Sequence, residues 1–139
     1  MAFGGITFRM PPNAIFFNSR QVMDATSKAE RRVLFRFGME TRKDARKSMR
    51  RKQRGPSDPG RPPRVVTGLL KRFLFFGYEK ESHSVVIGPA QLSGFPGAGE
   101  APQALEYGTS DIAARPFMGP AFRRQLDENM PQMWRDAIR

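Results

Sequence analysis

Proline is absent from the whole stretch Ser19–Lys52, although this chain of 139 residues contains 12 prolines. Apolar residues recur within the stretch three or four positions apart, which places them on one face of a helix. The stretch therefore predicts one long helix, with Asn18 or Ser19 as its N-cap and Gly38 as the position where it could kink or break. The predicted apolar stripe consists of Val22, Ala25, Ala29, Val33 and Phe37, widened by Leu34, Phe35 and Met39.

Two short runs in the second half of the chain predict a β-hairpin. Phe73–Glu79 and Ser84–Gly88 are rich in aromatic and β-branched residues, and a polar segment separates them. Ala113–Met118 is a candidate third strand. Pro116 confines that strand to a sheet edge or to a strand end, because proline has no N–H to donate.

Three further helical segments are predicted. Thr67 caps a short helix over Gly68–Arg72, and Gln103–Tyr107 forms a helical turn that Gly108 ends. Residues 119–139 carry apolar side chains at near-helical spacing, which predicts a C-terminal amphipathic helix that Pro131 bends or interrupts.

These elements predict a single α+β domain over residues 1–139. A small antiparallel β-sheet is expected to pack against the long N-terminal helix and the C-terminal helix, with long Gly/Pro-rich loops between them. Residues 1–18 are predicted to form a strand-like N-terminal arm, because apolar and polar residues alternate there. The Gly/Pro-rich segments 55–64 and 88–102 are expected to be mobile loops.

The positive charge is concentrated in one third of the chain. The sequence has 24 Lys and Arg against 13 Asp and Glu, and twelve of the basic residues but only two acids lie in Arg42–Arg72. Such clustering predicts a surface for an acidic protein partner or for DNA, although a solvated helix face is the simpler alternative. The residues predicted for this surface are Arg42, Lys43, Arg46, Lys47, Arg50, Arg51, Lys52 and Arg54.

Several function classes are disfavoured by composition. The chain has no cysteine and one histidine, so thiolate sites and sites with two imidazoles are excluded. His83 lies between two serines in the polar turn and is expected to be solvated there, since neighbours in a turn do not supply a catalytic geometry. We expect no catalytic residue, metal or cofactor, and no membrane partner, because no stretch approaches the ~20 apolar residues of a membrane helix.

The segment Ala104–Arg123, called here the C-terminal signature, reads ALEYGTSDIAARPFMGPAFR. Together with an upstream tract, Pro59–Leu70, it resembles a family of neck or tail-completion proteins of long-tailed bacteriophages. The resemblance covers residues 19–139 and depends on the order and spacing of the two motifs. The matching residues are Thr67, Gly68 and Leu70 in the upstream tract, and Glu106, Tyr107, Gly108, Thr109, Arg115, Pro116, Phe117, Pro120 and Phe122 in the C-terminal signature.

The resemblance implies a structural virion protein that completes the tail and connects it to the head around the DNA path. Its implied partners are further copies of itself in a sixfold ring, a head-completion or stopper protein and a tail-terminator protein, with genome DNA in the lumen as a further candidate. The resemblance implies synthesis in the host bacterial cytoplasm and no catalysis. A freestanding, non-specific nucleic-acid-binding protein is the alternative that the charge leaves open.

The signature residues also have physical interpretations as fold determinants. Gly108 allows a tight turn through a positive φ. Arg115 is expected either to pair with Glu106 or to donate to loop carbonyls. Phe117 and Phe122 are both expected to be buried against the long helix.

Overall fold

The computed structural model describes residues 19–51, 55–90 and 101–138. The predicted N-terminal arm, the N-cap candidate Asn18, most of the 88–102 loop, and the basic residues Lys52 and Arg54 lie outside the described residues. In chain order the elements are α1 (Ser19–Ser48), α2 (Leu69–Arg72), β1 (Leu74–Glu79), β2 (Ser84–Pro89), α3 (Ala101–Tyr107), α4 (Met118–Arg124), a π-helical turn (Gln125–Asn129) and α5 (Met130–Ile138). The predicted α+β class, with a long N-terminal helix, a small antiparallel sheet and a C-terminal helix, is confirmed.

The long helix α1 is the element on which β1, β2, α4 and α5 all pack. Its buried residues Ala29, Val33 and Phe37 confirm the centre of the predicted stripe. Val22 is 47% exposed, so the stripe is wrong for the first turns of the helix. The helix ends at Ser48, before the predicted end at Lys52. The backbone that follows pairs with a distant segment, since the carbonyl of Arg50 accepts the N–H of Val65 at 2.9 Å.

The hairpin has the predicted antiparallel pairing, and its register places Phe76 opposite Ile87 and Tyr78 opposite Val85. Side chains alternate between the two faces of a strand, so these four residues lie on the face that packs on α1. The opposite face exposes Phe75 and Val86.

Gly38 lies on α1 where the side chains of Phe76 and Val85 pack against the helix. A β-carbon added there would lie 2.7 Å from Cγ2 of Val85 and 2.8 Å from Cδ2 of Phe76. The helix continues unbroken through this glycine. The absence of a side chain at Gly38 therefore allows Val85 and Phe76 to pack closely on α1.

We expect Gly38→Ala to lower the free energy of unfolding by about 1–2 kcal/mol, because overpacking costs more than the ~1 kcal/mol that alanine gains in a helix. Gly77→Ala is the matched control, since a β-carbon at Gly77 would meet no atom within 4 Å. Urea denaturation of both variants measures the difference. Equal stabilities would show that the contact tolerates a methyl group.

The predicted third strand is wrong. The described residues contain one sheet, and its two strands are β1 and β2. Residues 113–117 are instead an irregular segment, in which the N–H of Arg115 donates to the carbonyl of Leu105 at the end of α3. Pro116 has no N–H to donate to a strand ladder, and the N–H groups of Phe117 and Met118 donate to the carboxylate of Glu106.

The C-terminal helical region is confirmed, and its interruption lies just before Pro131. Met130 donates its N–H to the carbonyl of Gln125, five residues earlier, which is the hydrogen bond of a π-helical turn. A proline inside an α-helix removes one hydrogen bond and clashes with the preceding turn. The wider π-helical turn, Gln125–Asn129, directly precedes the turn of α5 that contains Pro131.

Two small clusters of buried residues, counted over the described part of the chain, form the core on α1. One contains Ala45, Met49, Leu74, Phe117 and Ala121, and the other contains Val33, Phe37 and Met133. Phe117 is 1% exposed, which confirms its predicted burial. Phe122 is 43% exposed and touches Phe37 edge-on with its ring centroid 5.2 Å away, so the prediction that it is a core residue is wrong. Among the described helices, none is long and apolar enough to cross a membrane.

Candidate functional site

Glu106 lies near the end of α3 and caps the beginning of α4. Its Oε2 accepts the N–H groups of Phe117 at 2.9 Å and Met118 at 3.0 Å, and its Oε1 accepts that of Gly119 at 2.7 Å. The first N–H groups of a helix have no partner inside the helix, and a carboxylate there also interacts favourably with the helix dipole. The predicted Glu106–Arg115 pair is wrong, because both oxygens of the carboxylate are directed at this helix start.

The Glu-Tyr-Gly-Thr part of the C-terminal signature forms the turn between α3 and the following loop. Gly108 has φ 78°, and a β-carbon there would lie 3.0 Å from backbone atoms of Ala114 and Ile112, so this position requires glycine. The hydroxyl of Thr109 accepts the N–H of Ile112 at 3.1 Å and closes the turn. Tyr107 is 79% exposed and is available to a partner.

Arg115 joins the C-terminal signature to the Gly/Pro-rich segment some 50 residues earlier. Its Nε donates to the carbonyl of Ser57 at 2.9 Å. The N–H of Gly60 donates to the carbonyl of Ala114 at 2.8 Å beside it. The alternative that Arg115 donates to loop carbonyls is thereby confirmed, and the Gly60–Ala114 hydrogen bond joins the upstream tract to the C-terminal signature.

The remaining motif residues divide between core and surface. In the upstream tract, α2 begins at Leu69 and its N-cap is Gly68, so the prediction that Thr67 is the cap is wrong by one residue. The Thr67 hydroxyl accepts the N–H of Leu69 at 3.4 Å just before this helix. Gly68 has φ 75°, and Leu70 packs against the core cluster around Phe117. In the C-terminal signature, Pro116 is half-buried and Pro120 is exposed.

The described residues of the predicted basic surface differ in their contacts and in their exposure. Arg42 donates from its Nε to the carbonyl of Leu74 at 2.5 Å, and its guanidinium lies 6.0 Å from the centre of the Phe75 ring. This side chain therefore joins α1 to β1. Lys43 pairs with Glu40 at 3.5 Å, Arg46 is half-buried, and Lys47, Arg50 and Arg51 are exposed.

A polar cleft of about 630 Å³ collects basic side chains from three separate segments. Lys47 and Arg50 come from the end of α1 and the residues after it, and Arg124 comes from the end of α4. Two carboxylates also line the cleft, so its net formal charge is three positive charges. This basic cleft is defined by Asp44, Lys47, Ser48, Arg50, Ser57, Asp58, Arg61, Pro62, Arg64 and Arg124.

Sequence reasoning selected only Lys47 and Arg50 from the basic cleft. Arg61 and Arg64 are not among the residues predicted for the basic surface, although they belong to the same basic third of the chain and their positive charge is a signal for them. Arg124 had no such signal, since it lies more than 70 residues from Arg50 in a nearly neutral part of the sequence.

His83 is a turn residue with φ 49°, as its place in the sequence predicts. Its side chain is more than half exposed, and its Nδ1 lies 3.3 Å from Oε1 of Glu30 on α1. The described residues contain no group of three or more His, Asp or Glu side chains arranged to hold a metal ion.

Comparison of this chain with protein-family models, with curated proteins and with solved structures finds no match in any of the three.

Proposed function

We propose that this chain is a structural virion protein of the phage neck, forming part of a ring at the head–tail junction around the DNA path. The observation that carries the proposal is the contact between the two motifs. Gly60 of the upstream tract donates its N–H to the carbonyl of Ala114 in the C-terminal signature, and Leu70 packs against the core cluster that contains Phe117. Residues that resemble the family's motifs at distant points of the sequence are therefore in contact.

Exposed apolar side chains support an assembling protein. The described core is small, while Val86 is 64% exposed on the outer face of the hairpin and Phe75 lies exposed on the same face. Tyr107 and Ile138 are also exposed. Apolar groups grouped on a surface are typical of contacts between subunits.

The proposed mechanism is geometric. The Glu106 cap and the Arg115 contacts hold the loops on a rigid base, and α1 provides a long support for the hairpin. Copies of this unit would close into a sixfold ring and contact a head-completion protein on one side and a tail-terminator protein on the other. Catalysis has no part in this role.

The proposal predicts that the purified chain forms closed rings. Native mass spectrometry and negative-stain electron microscopy at increasing protein concentration are expected to show six-copy rings. Val86→Glu should weaken ring formation without lowering the melting temperature, because Val86 is exposed within one copy. Glu81→Lys in the exposed hairpin turn is the control. Single copies at every concentration, also in the presence of the neck partners, would contradict the proposal.

A nucleic-acid-binding role is the second candidate, and the basic cleft is the specific observation that favours it.

A further inference from the structure

The basic cleft is built by contacts that hold its three walls in place. The carbonyl of Arg50 accepts the N–H of Val65, which joins the residues after α1 to the chain beside Arg64. Asp44 on α1 accepts a hydrogen bond of 2.6 Å from Nε2 of Gln125, the residue that follows Arg124, which joins the α1 wall to the end of α4. The cations are therefore brought together by the fold itself.

The cleft concentrates cations that the fold does not neutralise. In the described part of the chain, the side chains of Lys47, Arg50, Arg61 and Arg124 have no carboxylate within the 4.0 Å of an ion pair. Like charges held in one cleft repel each other and destabilise the compact state. An anionic ligand would offset that repulsion.

The lining of the cleft indicates which anion it suits. Pro62 is its only apolar residue among those described, and no aromatic ring lines it. The apolar core of a protein–protein interface and the stacking platform of a single-strand binder are therefore both missing from this lining. Four of the five cations are arginines, whose planar donors match the oxygens of phosphate groups.

We propose that the basic cleft binds the phosphodiester backbone of double-stranded DNA without reading its base sequence. Several cations spread over a cleft of about 630 Å³ suit successive phosphates of a backbone better than one free phosphate. The inference goes beyond the neck assignment and does not rest on it, since the whole cleft lies within one copy of the chain.

The test is the binding of a short DNA duplex of mixed sequence to the purified chain, followed by fluorescence anisotropy at increasing salt. The double variant Lys47→Gln/Arg124→Gln removes one cation from each of two walls. We expect affinity to fall at least about tenfold, and the slope of log affinity against log salt to become shallower by about 2.

The matched control is Arg20→Gln/Arg32→Gln, which removes the same charge from exposed positions on α1. These residues lie at least about 22 Å from Lys47 along the helix axis. The control should change affinity less than about twofold. Both double variants should keep the wild-type melting temperature, because all four residues are exposed. If the cleft double variant melts earlier, each single variant should still reduce the slope by about 1.

Three results would overturn the proposal. The first is an absence of duplex binding by the wild-type chain at low salt, and the second is equal losses of affinity in the cleft and control variants. The third is binding of polyglutamate as tightly as DNA with the same dependence on Lys47 and Arg124, which would assign the cleft to an acidic protein. All three concern the binding of an anionic polymer to one copy of the chain, so they are independent of ring formation.

Discussion

Phe117→Ala is expected to lower the free energy of unfolding by about 3–5 kcal/mol, the range for removing a buried aromatic ring. Phe117 is 1% exposed and lies in the cluster with Ala45, Met49, Leu74 and Ala121, so the cavity would open where α1, β1 and α4 meet. Domains of this size are stable by only about 5–15 kcal/mol, so the variant would unfold at much lower temperature. Urea denaturation followed by circular dichroism measures the loss.

Phe122→Ala is the matched control for this change. The same ring is removed only five residues away, but Phe122 is 43% exposed and touches Phe37 at its edge. We expect a loss of about 1 kcal/mol, the size of one aromatic pair. A Phe117→Ala protein as stable as the Phe122→Ala protein would show that the cluster around Phe117 does not hold the fold together.

Glu106→Ala is expected to lower the free energy of unfolding by about 2–4 kcal/mol. The substitution leaves three N–H groups at the start of α4 without their acceptor, and hydrogen bonds to a charged group contribute about 1.5–3 kcal/mol each when they are well made. Water replaces part of the lost hydrogen bonding at the helix start, so the total loss of stability is smaller than the sum of the three contributions. Thermal and urea denaturation at neutral pH would measure the change.

Two further variants make the Glu106 result specific. Glu106→Gln keeps one oxygen acceptor and should lose less stability than Glu106→Ala. Glu81→Ala removes a carboxylate from the exposed hairpin turn and should change stability by about 0.5 kcal/mol or less. If Glu106→Ala were as stable as Glu81→Ala, the capping role of Glu106 would be wrong.

The elements predicted best from sequence are those whose signals are local. The apolar spacing of Ala29, Val33 and Phe37 indicates a helix, and the Phe73–Glu79 and Ser84–Gly88 runs indicate a hairpin without knowledge of the rest of the chain. The turn at Gly108 was also predictable, because the position after Tyr107 offers a glycine for a positive φ.

The failed predictions depend on contacts between distant residues. Ala113–Met118 has the composition of a strand, but Arg115 donates its backbone N–H to Leu105, and Glu106 takes the N–H groups that follow. Nothing local distinguishes the buried Phe117 from the exposed Phe122.

The candidate site also combines a feature with a local sequence signal and a feature that depends on contacts between distant residues. The excess of cations after Arg42 is visible in the sequence, but its grouping is not. Arg42 binds the carbonyl of Leu74 instead of facing a partner, while Arg124 joins Lys47 and Arg50 only because α4 packs on α1. Charge composition therefore predicts that a basic surface exists, and the tertiary structure decides which residues form it.

The central claim, a ring at the head–tail junction, is tested most directly by cryo-electron microscopy of the junction in tailed particles assembled with this chain. We expect a ring of density into which the α1 helix and the hairpin fit, with the basic cleft of each copy directed toward the DNA path. Particles whose complete, DNA-filled junction contains no density for α1 and the hairpin would contradict the account.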